Sequence, residues 1–181
     1  LPSIGGKDSM SGTFNEIDVP PTLVSFAVDV AKIQDVITPE LKKAGNKLVW
    51  LRAPHDQYDL PDYAGIMDQY EKLHNDIQSG KVVSAYALDR HGIAAAVSKM
   101  AFGNALGVKI EHNLDPRDFF APGFGDIIME VPADKVGELS ITYTLIGEVT
   151  DDGKFSYGNT VITEAEAVEA WKGTLERVFK T

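Results

Sequence analysis

The chain has 181 residues, 44% hydrophobic and 24% charged, which is enough to enclose one hydrophobic core, so one domain is expected. The net charge of −10 disfavours nucleic-acid binding, which requires clustered Lys and Arg, and no apolar run approaches the roughly 18 residues of a membrane span. The absence of cysteine excludes disulfides, thiolate catalysis and cysteine zinc sites, and without a signal-peptide pattern a cytoplasmic location is expected. Because the chain starts on Leu1 and stops directly after a helical pattern, we expect a piece of a longer protein.

The first 20 residues are predicted to form a polar loop that ends at a Pro-Pro pair. Its stretch IGGKDSMSGTF lacks the phosphate-loop pattern G-x-x-x-x-G-K-[ST], because Asp8 follows Lys7. Gly5 and Gly6 permit positive φ and close backbone approach. The residues alone leave two interpretations open, a solvated turn and a ligand-binding loop.

Strands are predicted to alternate with helices along the rest of the chain. Short apolar and β-branched runs predict a buried strand at TLVSFAVDV (22–30), and further strands at KLVWLRA (47–53), KVVSAYAL (81–88), GVKIEH (107–112) and DIIMEV (126–131). SITYTLIGEV (140–149) and KFSYG (154–158) flank Asp151-Asp152-Gly153 and are predicted to form a hairpin. The alternation predicts a layered α/β domain over residues 21–181.

Three helices are predicted from apolar spacing and end signals. The first runs from Asp62 to Ser79 with Gly80 as its stop, and the second, rich in small residues, from Gly92 to Phe102. The last helix opens with Thr163 and Glu166, which form a capping-box pattern. Its expected buried face consists of Ala165, Val168, Trp171, Leu175 and Phe179.

A polar sequence follows the predicted strand that ends at Leu88. Asp89, Arg90 and His91 lie just before the helix that begins near Gly92, so an anion, a cation and a titratable ring meet helix N–H groups at a strand C-terminus. In one interpretation Asp89 holds a divalent cation while Arg90 and the helix end face phosphate. In the other, Asp89 only caps the helix and Arg90 points to water.

Other segments give weaker signals for chemistry. No pair among His55, His74, His91 and His112 has metal-ligand spacing, and His55 is predicted to lie in a solvated loop. The glycine-rich FFAPGFGD (119–126) is predicted to be a tight turn that feeds the next strand. No G-x-S-x-G pattern supports nucleophilic hydrolysis.

Three stretches together carry a resemblance to a known family. IGGKDSMSGTF, VPPTLVSFAV and DRHGIAAAVSKMAFGNALGVKIE are similar to the second half of phosphoribosylformylglycinamidine synthase, the formylglycinamide ribonucleotide amidotransferase of purine biosynthesis, in its large single-chain clostridial form. The similarity covers essentially the whole chain, and IGEVTDDGKFSYG fits the hairpin that closes that half before the glutaminase domain. G-K-D-S-M-S is fairly specific to the family, whereas M-A-F-G-N is shared more loosely.

The resemblance implies a ligase that uses ATP, Mg²⁺ and glutamine to convert formylglycinamide ribonucleotide into formylglycinamidine ribonucleotide. ATP activates the formamide oxygen as an iminophosphate, and ammonia from the glutaminase domain displaces the phosphate. The chain would be the C-terminal half of the second synthetase-like unit, a three-layer α/β/α domain with a mostly antiparallel mixed sheet, like the C-terminal domain of aminoimidazole ribonucleotide synthetase. It would need the N-terminal synthetase halves and the glutaminase domain of the same polypeptide, and would be inactive alone.

The resemblance also implies site residues. The G-K-D-S-M-S loop would join the two halves and run along the cleft between them. A phosphorylated substrate or nucleotide would be bound by Lys7, Asp8, Ser9, Ser11, Asp89, Arg90, His91 and Gly92. Aligned without gaps from MAF, the magnesium-binding aspartate of better-known members falls on Ala87, and only a two-residue shift places Asp89 there. The alternative function is therefore a noncatalytic module that binds a structural nucleotide or braces the assembly.

Two further expectations concern the reaction. The resemblance assigns no catalytic residue to this chain. Thiamine monophosphate kinases, selenophosphate synthetases and hydrogenase maturation proteins share the implied fold, but none is expected to show G-K-D-S-M-S followed by P-P-T-L-V-S-F.

Overall fold

The computed structural model describes residues 2–9, 12–111 and 114–174. The chain forms two compact units, Leu1–Val36 and Ile37–Thr181. The sequence pattern predicted a boundary after residue 20. In the structure, residues 21–36 group with the first unit. No helix in the described part of the chain has both the length and the apolar character needed to cross a bilayer.

The first unit consists of short strands. These are β1 (Gly5–Ser9), β2 (Gly12–Phe14), β3 (Ile17–Val19) and β4 (Thr22–Phe26), followed by a 3-10 turn at Ile33–Asp35. β1 pairs with β4 and β2 with β3, both antiparallel. The segment predicted as a polar loop is thus largely β-structure, because its backbone groups pair with the strand that follows Pro21.

Two details of this unit differ from the sequence prediction. Gly5 and Gly6 do not have positive φ, although a Cβ on Gly6 would lie 2.8 Å from the carbonyl oxygen of Val24 on the paired strand. β4 is exposed along its length rather than buried, and Leu23 is 85% exposed. A two-stranded ribbon has no second layer of its own to cover its faces, so its apolar residues stay accessible within the unit.

The second unit contains a seven-stranded sheet. Its strands are β5 (Lys47–Leu51), β6 (Ser84–Ala87), β7 (Gly107–Ile110), β8 (Ile127–Val131), β9 (Thr144–Thr150), β10 (Lys154–Tyr157) and β11 (Thr160–Thr163). The spatial order is β11-β10-β7-β9-β5-β8-β6. Every neighbouring pair is antiparallel except β10 with β7, which confirms the predicted mostly antiparallel mixed sheet.

Helices cover both faces of this sheet. They are α1 (Tyr63–Gln78), α2 (Gly92–Phe102), α3 (Pro116–Phe120) and α4 (Glu164–Lys172). Alternate residues of β5 point to opposite faces: Leu48 and Trp50 lie in the cluster with α2, and Val49 and Leu51 in the cluster with α1. The three-layer α/β/α arrangement expected from the sequence is therefore confirmed.

The helix boundaries follow from end signals in the sequence. The Asp62 side chain accepts a hydrogen bond from the Gly65 amide at 3.1 Å, and Gly80, with φ of 73°, follows the last turn of α1. Thr163 and Glu166 form the predicted capping box of α4. The predicted buried face of α4 is wrong for Ala165 and Trp171, which are exposed, because α4 lies at the rim and contacts the sheet unit only through partly buried residues. Leu175 and Phe179 lie outside the described residues.

The predicted hairpin between β9 and β10 is also wrong, because β7 lies between them. The connection Asp151-Asp152-Gly153 passes over Gly107 at the start of β7, where a Cβ would collide with the Thr150 and Asp152 side chains. A side chain at position 107 would block this crossing. The true hairpin joins β10 to β11 through Gly158-Asn159, and Gly158 has the positive φ of 57° that a tight turn needs.

Candidate functional site

One edge of the large sheet gathers the groups that can bind a ligand. β5 and β6 are both antiparallel to β8, so they run in the same direction and end at the same edge. The chain continues from each of these strands towards a helix, α1 after β5 and α2 after β6, and β8 begins at this edge too. Strand ends that precede helices are where open α/β sheets bind ligands.

A cavity of about 490 Å³ opens at this edge and is called the edge cavity here. Its lining comes from the residues that follow β5 and β6 and from the 118–126 segment that leads into β8. Among its lining residues are Trp50, Arg52, His55, Leu88, Asp118 and Asp126. The volume is in the range of small-molecule sites.

The wall of the edge cavity next to β5 is held by a chain of polar contacts. The Asp126 carboxylate, which is buried, accepts hydrogen bonds from the Trp50 indole N–H at 2.9 Å and from the Ala53 amide at 2.8 Å. The Arg52 guanidinium lies 4.1 Å from the Trp50 ring centroid, a cation–π contact, and 3.1 Å from Asp118 Oδ1. Asp126 therefore orients the indole, and the indole with Asp118 orients the guanidinium.

The segment between β6 and α2 borders the same cavity. Leu88 lines the cavity, and the carbonyl oxygen of Asp89 accepts a hydrogen bond from the Gly123 amide at 3.2 Å. The 119–126 turn was predicted only to feed the next strand; it does so, with Gly125 at φ of 89°, and its Phe124 also lines the cavity.

The Asp89 carboxylate is engaged by its own chain. Oδ1 accepts hydrogen bonds from the His91 amide at 2.7 Å and from His91 Nδ1 at 3.1 Å, and Oδ2 lies 3.8 Å from Lys99 Nζ on α2. The His91 amide is the largest influence that holds the pKa of Asp89 below its usual value, and the His91 ring and Lys99 act in the same direction. The carboxylate is therefore stabilised in its charged form.

Arg90 and His91 contact each other on the surface of this segment. Arg90 Nε donates to His91 Nε2 at 3.3 Å, so the imidazole accepts at Nε2 and donates to Asp89 from Nδ1. Arg90 is exposed, as the second interpretation of the sequence expected, but its Nε is fixed by His91.

Gly92 begins α2 in a conformation that excludes a side chain. Its φ is 68°, and a Cβ there would collide with the carbonyl oxygen of Ala121 in the segment after α3. Gly92 therefore lets the start of α2 pack against the wall of the edge cavity.

The first-unit residues predicted to bind ligand lie on a strand. Lys7, Asp8 and Ser9 belong to β1 and are exposed, whereas Ser11 lies outside the described residues. Their predicted meeting with the Asp89–Gly92 segment, which belongs to the second unit, stays a prediction.

The sequence reasoning missed the β5 side of the site. Arg52 was predicted to lie inside the strand 47–53, but β5 ends at Leu51, so the strand-end rule that pointed to Asp89 would have indicated Arg52 only with the observed strand end. His55 was assigned to a solvated loop; it is exposed, but it lines the edge cavity and its Nδ1 lies 2.8 Å from the Ala53 carbonyl oxygen. The Trp50–Asp126 contact joins residues 76 positions apart, and local patterns carry no signal for it.

The predicted metal ligand Asp89 does not fit a magnesium site in this arrangement. Residues 2–9, 12–111 and 114–174 contain no group of three or more His, Asp or Glu side chains that could hold a metal ion together. The position where the family's aspartate aligns without gaps is Ala87. Both Asp89 oxygens face positive or N–H groups of the chain itself.

Comparison with known sequences identifies relatives of the chain. Over an alignment of 208 positions it is 21% identical to the phosphoribosylformylglycinamidine synthase subunit PurL of Methanobrevibacter smithii, and the alignment covers 97% of this chain and 29% of that relative. It is 27% identical over 109 residues to the PurL subunit of Corynebacterium aurimucosum, covering 54% of this chain and 14% of the relative. The chain is PurL-like. This confirms the resemblance first carried by the three motif stretches.

The PurL-like chain spans less than a third of the length of these relatives. No model of a known protein family matches it.

Solved structures share the fold of the PurL-like chain. Thermotoga maritima PurL complexed with ATP has a TM-score of 0.60 at 13% identity, over 81% of this chain and 28% of that one. The same protein complexed with FGAR gives 0.61 at 12% identity, over 81% and 30%. The PurLQS structure from Thermotoga maritima gives 0.61 at 13%, over 74% and 28%.

Proposed function

We propose that the PurL-like chain is part of an ATP-dependent ligase that converts formylglycinamide ribonucleotide and glutamine into formylglycinamidine ribonucleotide in purine biosynthesis. The observation that carries this proposal is the match to a PurL subunit across 97% of the chain. Because the chain spans 29% of that relative, it would act with N-terminal synthetase halves and a glutaminase domain and would be inactive alone. The complete enzyme would bind ATP or ADP and Mg²⁺, and would work in the cytoplasm.

In this proposal the chain contributes charge and position rather than a covalent step. Phosphoryl transfer depends mainly on placing and neutralising the phosphate oxygens. Arg90, two residues after the cavity-lining Leu88 and with its Nε in contact with His91, would present its remaining guanidinium N–H groups to a phosphate. From the first unit, Lys7 would supply positive charge, and Ser9 and Ser11 hydroxyl donors, with Asp8 beside them.

Calorimetry with ADP tests this assignment in a polypeptide that also carries the preceding synthetase half. Arg90→Met is expected to weaken ADP binding about tenfold, because charge-assisted hydrogen bonds to phosphate are lost. Arg117→Met is the matched control, since it also replaces an arginine, and the Arg117 side chain is 91% exposed and pairs with Asp115 instead of contacting His91. Equal effects of the two substitutions would contradict the role of Arg90.

An assay of turnover tests whether the rest of the enzyme is needed. The chain alone, supplied with formylglycinamide ribonucleotide, ATP and ammonia, is expected to form no product. Robust turnover would overturn the view that the chain is one part of the catalytic unit.

The alternative is a noncatalytic module that binds a structural nucleotide or braces the assembly. Ala87, where the family carries a metal-binding aspartate, is the observation behind it, but the comparisons do not favour it. The same calorimetry, combined with a turnover assay of the complete enzyme, separates the two functions. The module is supported if ADP binds tightly and if Arg90→Met abolishes this binding but leaves turnover unchanged. A parallel loss of turnover would support the ligase.

A further inference from the structure

The surroundings of Asp89 leave little room for a divalent cation. Oδ1 already accepts two hydrogen bonds from His91. Oδ2 faces Lys99 Nζ at 3.8 Å, and Arg90 is bound to the far side of the His91 ring. Every partner of this carboxylate in the described part of the chain is therefore a hydrogen-bond donor or a cation.

The position of Lys99 next to Asp89 is set by α2 and by Tyr86. Lys99 lies on α2, and its Nζ also lies 5.7 Å from the ring centroid of Tyr86, on the strand that precedes Asp89. The Lys99 side chain is 33% exposed, so part of its stem packs along the helix. The ammonium is thus placed between an aromatic face and a carboxylate.

Distances limit what a metal ion could do there. Mg²⁺ binds carboxylate oxygen at about 2.1 Å. An ion on Asp89 Oδ2 would then lie no more than about 6 Å from Lys99 Nζ, since that oxygen and Nζ are 3.8 Å apart. Even at the dielectric constant of water, repulsion between charges of +2 and +1 at that distance weakens binding about tenfold.

We propose that the Lys99 ammonium takes the place of the divalent cation at Asp89, so that this junction binds neither Mg²⁺ nor Mn²⁺. The inference rests on the proposed function and deepens it. At this junction the positive charges that face a phosphorylated ligand would be side chains of the chain itself and not metal ions. Lys99 is then the residue that determines the metal-free state, and Asp89 is the group that it neutralises.

The proposal is tested by titrating the whole chain with Mn²⁺ alone. The electron paramagnetic resonance signal of the free ion reports how much Mn²⁺ stays unbound. Wild type, Asp89→Asn and Lys99→Arg are expected to bind Mn²⁺ alike, within about twofold, because none of them frees the carboxylate. Lys99→Met is expected to gain a site that binds about tenfold tighter, since it removes the competing charge. The double variant Lys99→Met/Asp89→Asn should return to the wild-type curve, and circular dichroism checks that each variant is folded.

Two results would overturn the proposal. One is a wild-type Mn²⁺ site that Asp89→Asn weakens fivefold or more. The other is a folded Lys99→Met variant that binds no tighter than wild type. No nucleotide is present in this titration, so a failure of ADP to bind would count against the proposed function and leave the metal result standing.

Discussion

Asp76 is a carboxylate buried on the inner side of α1, with 1% of the residue exposed. It accepts hydrogen bonds from Lys81 Nζ at 2.8 Å and from the Ser140 amide at 2.7 Å. Burial alone would raise the pKa of Asp76, but the hydrogen bonds from Lys81 and Ser140 together outweigh it and leave the pKa below its usual 3.8. The charged carboxylate therefore stabilises the folded state by joining α1 to the segment before β9.

Replacing Asp76 by Asn is expected to lower the free energy of unfolding by about 2 kcal/mol at pH 7, because hydrogen bonds to a buried charge are lost. Urea unfolding measures the change. Asp68→Asn is the matched control on the same helix, where the exposed pair with Lys72 at 2.6 Å should contribute little because solvent screens it. Similar losses in the two variants would contradict the role of burial.

The pH dependence of this difference has a defined sign. A folded-state pKa below the unfolded value of 3.8 means that the stabilisation is present above that value. The gap between wild type and Asp76→Asn should stay constant from neutral pH down to about pH 5, and then shrink as pH falls through 3.8. A gap that widens in acid would contradict it.

Gly92 lies where the structure leaves no space for a side chain. Gly92→Ala is expected to cost about 3 kcal/mol or more, since strain at positive φ adds to a collision with backbone near Ala121. Gly80→Ala has the same kind of φ, 73°, but open space around it, and should cost only about 1 kcal/mol. Chemical unfolding of both variants separates collision from strain, and equal losses would rule the collision out.

At the scale of elements, α4 shows what a cap contributes when packing is weak. No residue of the described helix is buried, although Trp171 stacks on Phe102 at 5.4 Å. Thr163→Ala should therefore open α4 locally, speeding amide exchange in 164–172 about fivefold, because a cap is worth about 1 kcal/mol. Glu169→Gln in the same helix leaves the capping box intact and serves as the control. Exchange that accelerates equally throughout the sheet would contradict local opening.

The strand prediction shows where local signals end. Every strand of the large sheet except β11 was recognised from its own residues, but the pairing of β10 with β7 was not. The three turn-forming residues Asp151-Asp152-Gly153 are compatible with a hairpin, and only the insertion of β7, permitted by Gly107, decides against it. Strand pairing is a contact between distant segments, so residue type alone does not specify it.

At the scale of the whole molecule, the hydrophobic core belongs to one of the two units. Every buried hydrophobic residue in the described part of the chain comes from Leu41 onwards. Removing residues 1–36 is therefore expected to leave the free energy of unfolding of the remainder within about 0.5 kcal/mol of the full chain. Urea unfolding followed by circular dichroism checks this, and loss of a cooperative transition would contradict it.

Sequence distance decided which contacts of the candidate site could be predicted from the sequence. Asp89, Arg90, His91 and Gly92 are consecutive, so the strand-to-helix pattern was enough to suggest them, and their role in binding stays a prediction. Arg52 owes its orientation to Trp50, which Asp126 holds from 76 positions away, and the wall that Gly92 contacts comes from Ala121. A pattern that repeats within a few residues cannot report such contacts.

The sequence by itself determined the layered α/β class, the starts and ends of α1 and α2, the capping box of α4 and the resemblance to PurL. These depend on periodicity, caps and motifs, which are local properties of the chain. Only the tertiary structure decided that the G-K-D-S-M-S segment lies largely on a strand, that β7 separates β9 from β10, and that Lys99 reaches Asp89. Those features depend on which distant surfaces pack together, and that choice is made by burial and backbone pairing across the whole fold.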